Sequence, residues 1–193
     1  VYDYPYLSSS ANHIYDLTVG YSNDSSLSGS SNEQNTKKIN LYNQMAQVLM
    51  GYDTTGSIRR FDEDGNITDG GTKLDECVFI NFARLLTKDE IKKGSFTMKI
   101  GTGSYAAPFS GGPITIQDTN ADTAYKVNSP AGEYSILSCS SGAAIGTPPC
   151  GLLFYQAGVA VLSGSIFTSS SIGVVNANVP MNSTNETFNA VLT

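Results

Sequence analysis

Oxygen-bearing side chains recur at alternate positions within the segment DEDGN, a spacing that resembles the opening of a calcium-binding loop. Asp62, Asp64 and Asn66 would supply oxygen ligands of the kind that Ca²⁺ prefers. The pattern is broken, because Gly65 stands where a spacing residue belongs and Lys73 occupies the twelfth position in place of the bidentate glutamate. We therefore predict no metal ligands here. The Asp-Gly pair instead favours the turn of a β-hairpin.

Carboxylates also lie close enough in sequence to suggest the acid and base of a glycoside hydrolase. Such a pair needs one carboxyl group whose pKa is raised by an apolar pocket. The candidates lie in polar turns with no apolar pocket implied around them: Asp62, Glu63, Asp69, Asp75 and Glu76. Solvated loop charge explains these residues better than catalysis does.

The single histidine, His13, falls in a predicted strand beside Tyr15 and Asp16. A catalytic histidine would have to be oriented by a carboxylate and lie within reach of a nucleophile. The chain has no Gly-x-Ser-x-Gly or Cys-Gly-x-Cys motif, so we interpret His13 as a partly buried strand residue. No catalytic residue and no cofactor site is predicted, and we do not expect an enzyme.

Two further motifs resemble sites for phosphates or bases. Gly101 and Gly103 follow a strand, but the third glycine and the helix of a phosphate-binding loop are missing from the sequence. Arg59 and Arg60 beside Phe61 could stack on bases, yet the net charge of −6 favours salt bridges to nearby carboxylates. We expect neither a nucleic acid partner nor a small-molecule substrate.

Three cysteines leave one unpaired within the chain. Cys139 and Cys150 flank the loop SSGAAIGTPP, which a disulfide worth roughly 3 kcal/mol could close in an oxidising compartment. Two free thiols remain the alternative. Cys77 opens a predicted central strand and is interpreted as a small buried hydrophobic residue. No Cys-x-x-Cys or His-x-x-x-His spacing indicates a metal site.

Four Asn-x-Ser/Thr sequons occur, at Asn23, Asn66, Asn182 and Asn185. Several are expected by chance in a chain that is rich in Asn, Ser and Thr. They become glycosylation sites only if the protein passes through a glycosylating export route.

Composition narrows the class of protein. Hydrophobic residues make up 40% of the 193 residues and charged residues 15%, a balance typical of β-rich extracellular or virion proteins. No apolar run reaches the roughly 18 residues of a membrane span, so we expect no membrane partner. The first residue is Val, so we expect a trimmed precursor or a numbering that starts inside a longer chain.

Residues 74–100 are predicted to form a strand, a short capped helical turn at about 88–93 and a second strand, and the rest of the fold is expected to build around them. One long amphipathic helix is predicted over about 33–50. Residues 57–61 should begin a hairpin, and residues 151–162 should form two buried strands around a turn. These elements predict an α+β fold that is mainly β, an antiparallel β-sandwich or barrel-like sheet.

The domain organisation follows from the polar and aromatic ends of the chain. We expect an N-terminal arm over 1–10, a single β-rich domain over 11–167, and a Ser/Asn/Thr-rich C-terminal arm or tail over 168–193. The arms carry aromatic and apolar side chains suited to subunit contacts, namely Tyr2, Tyr4, Tyr6, Val174 and Val175. A concentration of positive charge on the capped turn favours an acidic partner surface, at Lys88, Lys92 and Lys93.

Whole segments of the chain resemble virion structural proteins of contractile-tailed phages of aquatic bacteria, including phages of cyanobacteria. The similar segments include YPYLSSSANHIYDLTVGYS, KKINLYNQMAQVLMGYD, FINFARLLTKDEIKKGSFTMKIG and GLLFYQAGVAVLSGSIF. This resemblance implies a structural subunit located in the virion, associated with a tail or baseplate. Its partners would be copies of itself and other structural proteins, and its action would be packing between copies.

Two other functions stay open. The first is a secreted, glycosylated, fibre-forming or adhesive surface protein, located in an extracellular filament, with Cys139 paired to Cys150. The second is a tail-associated polysaccharide hydrolase, which would require Asp62, Asp64 or Glu133 to converge in a cleft.

Overall fold

The computed structural model describes residues 12–29, 33–67, 70–82, 90–101, 106–107, 109–110, 113–140 and 149–167. Their regular elements are, in chain order, β1 (Asp16–Tyr21), α1 (Glu33–Leu49), β2 (Glu76–Asn81), β3 (Thr97–Ile100), β4 (Ile114–Gln117), α2 (Ala121–Ala124), β5 (Lys126–Ser129), β6 (Gly132–Ser140), β7 (Gly151–Phe154) and β8 (Val159–Ser163). Short 3-10 helices lie at Ser26–Ser28 and Gly164–Phe167.

The eight strands form one antiparallel sheet in the order β1-β2-β8-β7-β6-β4-β3, with β5 also paired to β6. The sheet curls into a half-barrel, and the α+β, mainly β, barrel-like prediction is confirmed. Strands β4 and β5 pair with successive parts of β6, and α2 connects them. The two buried strands predicted over 151–162 are β7 and β8, and they form a hairpin.

Apolar side chains of the central strands alternate between the two faces of the sheet, as a period of two requires. In β2, Cys77 and Phe79 join one core cluster, whereas Val78 and Ile80 join the other. Strands β7 and β8 are buried throughout. The sheet therefore separates two cores, and both faces of its centre are covered.

Helix α1 covers the first core and confirms the amphipathic helix predicted over about 33–50. It buries Tyr42, Ala46 and Leu49 against an aromatic cluster, in which the Tyr42 and Phe61 rings meet edge to face at 5.5 Å. Gly51 ends the helix in the left-handed conformation with φ +72°, and its N–H donates to the carbonyls of residues 46 and 47. None of the described helices is both long enough and apolar enough to cross a membrane.

Two predicted local elements are wrong. The described part of the capped turn at 88–93, residues 90–93, is irregular and ends in a turn at Lys93 and Gly94 rather than in a helix. The hairpin expected from 57–61 is replaced by two isolated bridges, Tyr52 with Ile58 and Asp62 with Lys73. Backbone hydrogen bonds from Leu74 to Phe61 and from Glu63 to Thr72 flank the second bridge.

Candidate functional site

The aspartate that opens the calcium-like spacing is buried, and it pairs with a half-buried lysine. Asp62 has 1% of its surface exposed, and its carboxylate contacts the ammonium group of Lys73. The two residues face each other as an isolated antiparallel bridge. The interpretation of Asp62 as solvated loop charge is therefore wrong. The adjacent residue, Phe61, packs fully into the core, and Asp62 is buried beside it.

The Asp62 carboxylate also organises the loop that follows it. Its Oδ1 accepts hydrogen bonds from the backbone N–H groups of Asp64 at 3.3 Å and Asn66 at 3.1 Å. Burial raises the pKa of Asp62, and a hydrogen bond with Asp64 raises it further. The same hydrogen bond lowers the pKa of Asp64. We call Asp62, Asp64, Asn66 and Lys73 the Asp62–Lys73 cluster.

Lysine supplies the cation of this cluster. Lys73 stands at the loop position where a calcium site would carry its bidentate glutamate, and its Nζ contacts Asp62 Oδ2. Among the described residues, no group of three or more histidine, cysteine, aspartate or glutamate side chains is placed to hold a metal ion.

Lys93 lies among acidic and aromatic groups. Its Nζ is 3.0 Å from Glu90 Oε1 and also contacts Glu133 Oε2. The same atom lies 5.1 Å from the centre of the Tyr125 ring and 5.4 Å from that of Tyr155, within cation–π distance. Lys93, which the sequence suggested as part of a positively charged contact surface, is half-buried, with 20% of its side chain exposed, and it already pairs with two carboxylates.

Buried Asp118 fastens the loop that carries Lys93 to the sheet. Its Oδ2 accepts hydrogen bonds from the N–H of Gly94 at 2.9 Å and from the hydroxyl of Tyr155 at 3.0 Å, while Oδ1 accepts from the N–H of Phe96 at 2.9 Å. The Tyr155 hydroxyl is also hydrogen-bonded to Ser135 Oγ at 2.5 Å. Burial raises the pKa of Tyr155 far above its usual range, so the phenol stays a neutral donor.

Cys139 in β6 and Cys150 just before β7 are joined in a disulfide, with their Cα atoms 5.9 Å apart. The bond lies beside the ladder pair Leu137 and Gly151. Cys77 is a free thiol with no exposed surface, as predicted, and burial raises its pKa well above the usual value.

The remaining predicted residues are scattered. His13 Nε2 lies 2.7 Å from Asp16 Oδ1 near the start of β1. The salt bridge expected for the arginine pair is made by Arg60, which contacts Asp75 at 3.0 Å and Asp24 at 2.8 Å. Arg60 lines a polar surface cavity of about 460 Å³.

Several predicted residues are exposed or lie outside the described part of the chain. The sequon residues Asn23 and Asn66 and the predicted contact residue Lys92 are exposed. The others lie outside the described residues, namely Tyr2, Tyr4, Tyr6, Lys88, Val174, Val175, Asn182 and Asn185. The interface and glycosylation roles of all these residues stay predictions.

Exposed apolar side chains flank the junction between the end of α1 and the β5–β6 turn. A hydrogen bond from Ser129 Oγ to the Leu49 carbonyl makes this junction. Within three residues of it along the chain, Val48 is 67% exposed, Tyr52 50% and Val127 70%. We call these three side chains the α1–β5 surface. Sequence reasoning missed it, although Val48 is an apolar residue that falls off the buried stripe of its helix.

The sheet also ends in two strands that pair on one side only within the described residues. Strand β1 pairs with β2, and β3 pairs with β4. An edge strand presents N–H and C=O groups to which a further strand can add. Together with the α1–β5 surface, these edges are the features of the described chain best suited to contact another polypeptide.

No family of known proteins, no curated protein and no solved structure matches this chain. The geometry and the sequence therefore carry the functional interpretation.

Proposed function

We propose that this protein is a structural subunit of a phage particle, and that it acts by packing against copies of itself and other structural proteins. The virion is its location, in or near a tail or baseplate. The observation that carries this proposal is the α1–β5 surface. Val48, Tyr52 and Val127 lie near this junction along the chain and are each at least half exposed, and apolar side chains of this kind are what a protein contact buries.

Two further features support packing between copies. The edge strands β1 and β3 offer backbone hydrogen-bonding groups for strand addition by a neighbouring subunit. The segments that resemble phage structural proteins include β1, β7 and β8 of the sheet and much of α1, which packs against it.

The carboxylates needed for a polysaccharide hydrolase are engaged with lysines. Asp62 contacts Lys73, and Glu133 contacts Lys93. A hydrolase acid and base would face a sugar-binding cleft instead. This arrangement favours a structural role over hydrolysis.

A secreted, fibre-forming surface protein is the second candidate, and the disulfide between Cys139 and Cys150 favours it, because disulfides persist in oxidising compartments. Asn23 and Asn66 are exposed and would be open to glycosylation on an export route. Mass spectrometry of the protein from its natural source separates the two candidates, since added hexose at either residue supports the secreted fibre.

Substitution of the α1–β5 surface tests the first proposal. We expect the full chain to associate as its concentration rises, and the double variant Val48→Asp, Val127→Asp to remain monomeric in sedimentation velocity. Gln47→Asp is the matched control, because Gln47 is exposed on the same turn of α1 and is polar already.

Thermal unfolding should show that the double variant is as stable as the wild-type chain, because both substituted side chains are mostly exposed. Association of the double variant equal to that of the wild type would exclude this surface as the contact between copies.

A further inference from the structure

The Asp62–Lys73 cluster places a primary amine against a buried carboxyl group. Asp62 and Lys73 are opposite partners in an antiparallel bridge, and Lys73 Nζ contacts Asp62 Oδ2. Asp62 is 1% exposed, and the Lys73 side chain is 19% exposed. An ion pair in such surroundings loses most of its hydration, and that loss offsets much of the Coulombic attraction. A neutral bond between the two groups would remove that cost.

The other oxygen of Asp62 lies where negative charge would develop if the amine attacked the carboxyl carbon. Oδ1 accepts the backbone N–H groups of Asp64 and Asn66, at 3.3 Å and 3.1 Å. Two backbone donors on one oxygen are the arrangement that stabilises a tetrahedral oxyanion in acyl transfer.

A second carboxyl group is placed to carry protons. The backbone N–H of Asp64 donates to Asp62 Oδ1, and the Asp64 side chain accepts the N–H of Asn66 at 2.8 Å. Burial and the hydrogen bond to Asp64 raise the pKa of Asp62, whereas the hydrogen bond to Asp62 lowers the pKa of Asp64. Asp64 is exposed and adjoins Asp62 in this loop, so its carboxylate can carry a proton between the two reacting groups.

We propose that Lys73 and Asp62 join in an intramolecular isopeptide bond. The Lys73 ammonium group first gives one proton to Asp62 Oδ2. The resulting neutral amine attacks Asp62 Cγ, and a bond forms between Nζ and Cγ. Asp64 takes a proton from Nζ and delivers it to Oδ2, the bond between Cγ and Oδ2 breaks, and one water molecule leaves. No oxidant, metal or co-reactant takes part. The product is an amide that cross-links Asp62 and Lys73, the two ends of this loop.

Intact mass spectrometry of the folded, full-length protein after reduction of its disulfide tests this proposal. We expect a mass below that of the sequence by one water molecule. Trypsin should fail to cleave after Lys73 and should release a cross-linked peptide covering residues 61–84, lighter by the same amount. A folded chain with the full sequence mass, cleaved normally after Lys73, would overturn the proposal.

Three variants test the role given to each residue in the reaction. Lys73→Arg keeps the positive charge but removes the amine, so the loss of water should disappear. Asp62→Asn should form the same amide with loss of ammonia in place of water. Asp64→Asn should slow the reaction at least tenfold after refolding, because the proton carrier is removed while its N–H stays in place.

The matched control is Lys92→Arg, which replaces an exposed lysine outside the cluster and should leave the loss of water unchanged. Loss of water in Lys73→Arg would overturn the assignment to Lys73, and bond formation in Asp64→Asn at the wild-type rate would overturn the role given to Asp64. Circular dichroism of each variant confirms that it has folded.

Discussion

Replacement of Asp118 by Asn should destabilise the protein, because it removes a buried carboxylate that accepts several hydrogen bonds. The side chain is 1% exposed and accepts three hydrogen bonds, from the N–H of Gly94, the N–H of Phe96 and the hydroxyl of Tyr155. An asparagine has one acceptor oxygen. In either orientation of its amide, an NH₂ group faces at least one of these donors.

The magnitude follows from the bonds that are lost. A hydrogen bond to a charged group contributes about 1.5–3 kcal/mol, and a buried donor left without an acceptor costs a similar amount. The remaining bonds weaken because the acceptor is no longer charged. We expect the free energy of unfolding to fall by about 2–3 kcal/mol, which lowers the melting temperature by roughly 4–12 °C in a chain of this size.

Chemical denaturation measures the global effect, and hydrogen exchange locates it. The amides of Gly94 and Phe96 should exchange faster in Asp118→Asn than in the wild type, because their acceptor is lost. The control is Asp122→Asn, an exposed carboxylate close to Gly94, which should change stability by less than about 0.5 kcal/mol. An Asp118→Asn protein with wild-type stability and unchanged exchange would refute the assignment of Asp118 as the anchor of this loop.

Three more predictions concern packing, the disulfide and alkaline pH. In Gly20→Ala the new Cβ would lie 2.8 Å from a backbone atom of α1, so thermal unfolding should show a loss of about 1–3 kcal/mol. The control Gly29→Ala, whose nearest neighbour atom is 3.9 Å away, should be close to neutral, and equal losses in the two would contradict the close approach. Replacement of Cys139 and Cys150 by Ser should lower stability to urea by about 3 kcal/mol, as should reduction of the wild type, and no change would contradict a structural role for the bond. Burial raises the pKa of Tyr134 from 10.0 to about 12, so the unfolded chain ionises first; stability should be full below pH 10 and fall as the pH rises towards 12, whereas ionisation of every tyrosine near pH 10 in an ultraviolet titration would contradict this burial.

The spacing of apolar residues along the sequence correctly predicted the elements whose own side chains show a clear helix or strand pattern. The apolar stripe that contains Tyr42 and Leu49 predicted α1, and the continuous apolar runs around Leu153 and Val161 predicted β7 and β8. These signals are reliable because burial on one stripe, or on both faces of a strand, constrains every residue of the element.

Contacts between distant parts of the chain were not predictable in this way. Strand β2 lies between β1 and β8, although β8 begins far along the chain, at Val159. Asp118 and Lys93 look like ordinary loop charges in the sequence, and only the fold brings both of them against Tyr155. The Asp-Gly pair wrongly predicted a regular β-hairpin. In the fold Asp62 is buried, and its carboxylate accepts hydrogen bonds from the backbone of the loop.

Electron microscopy of the assembled protein tests the central claim most directly. We predict an ordered object built from many copies, in which the α1–β5 surface of each subunit is covered by a neighbour. The double variant Val48→Asp, Val127→Asp should give no such object under the same conditions. Isolated monomers at every concentration, or an ordered object in which the α1–β5 surface faces solvent, would contradict the account.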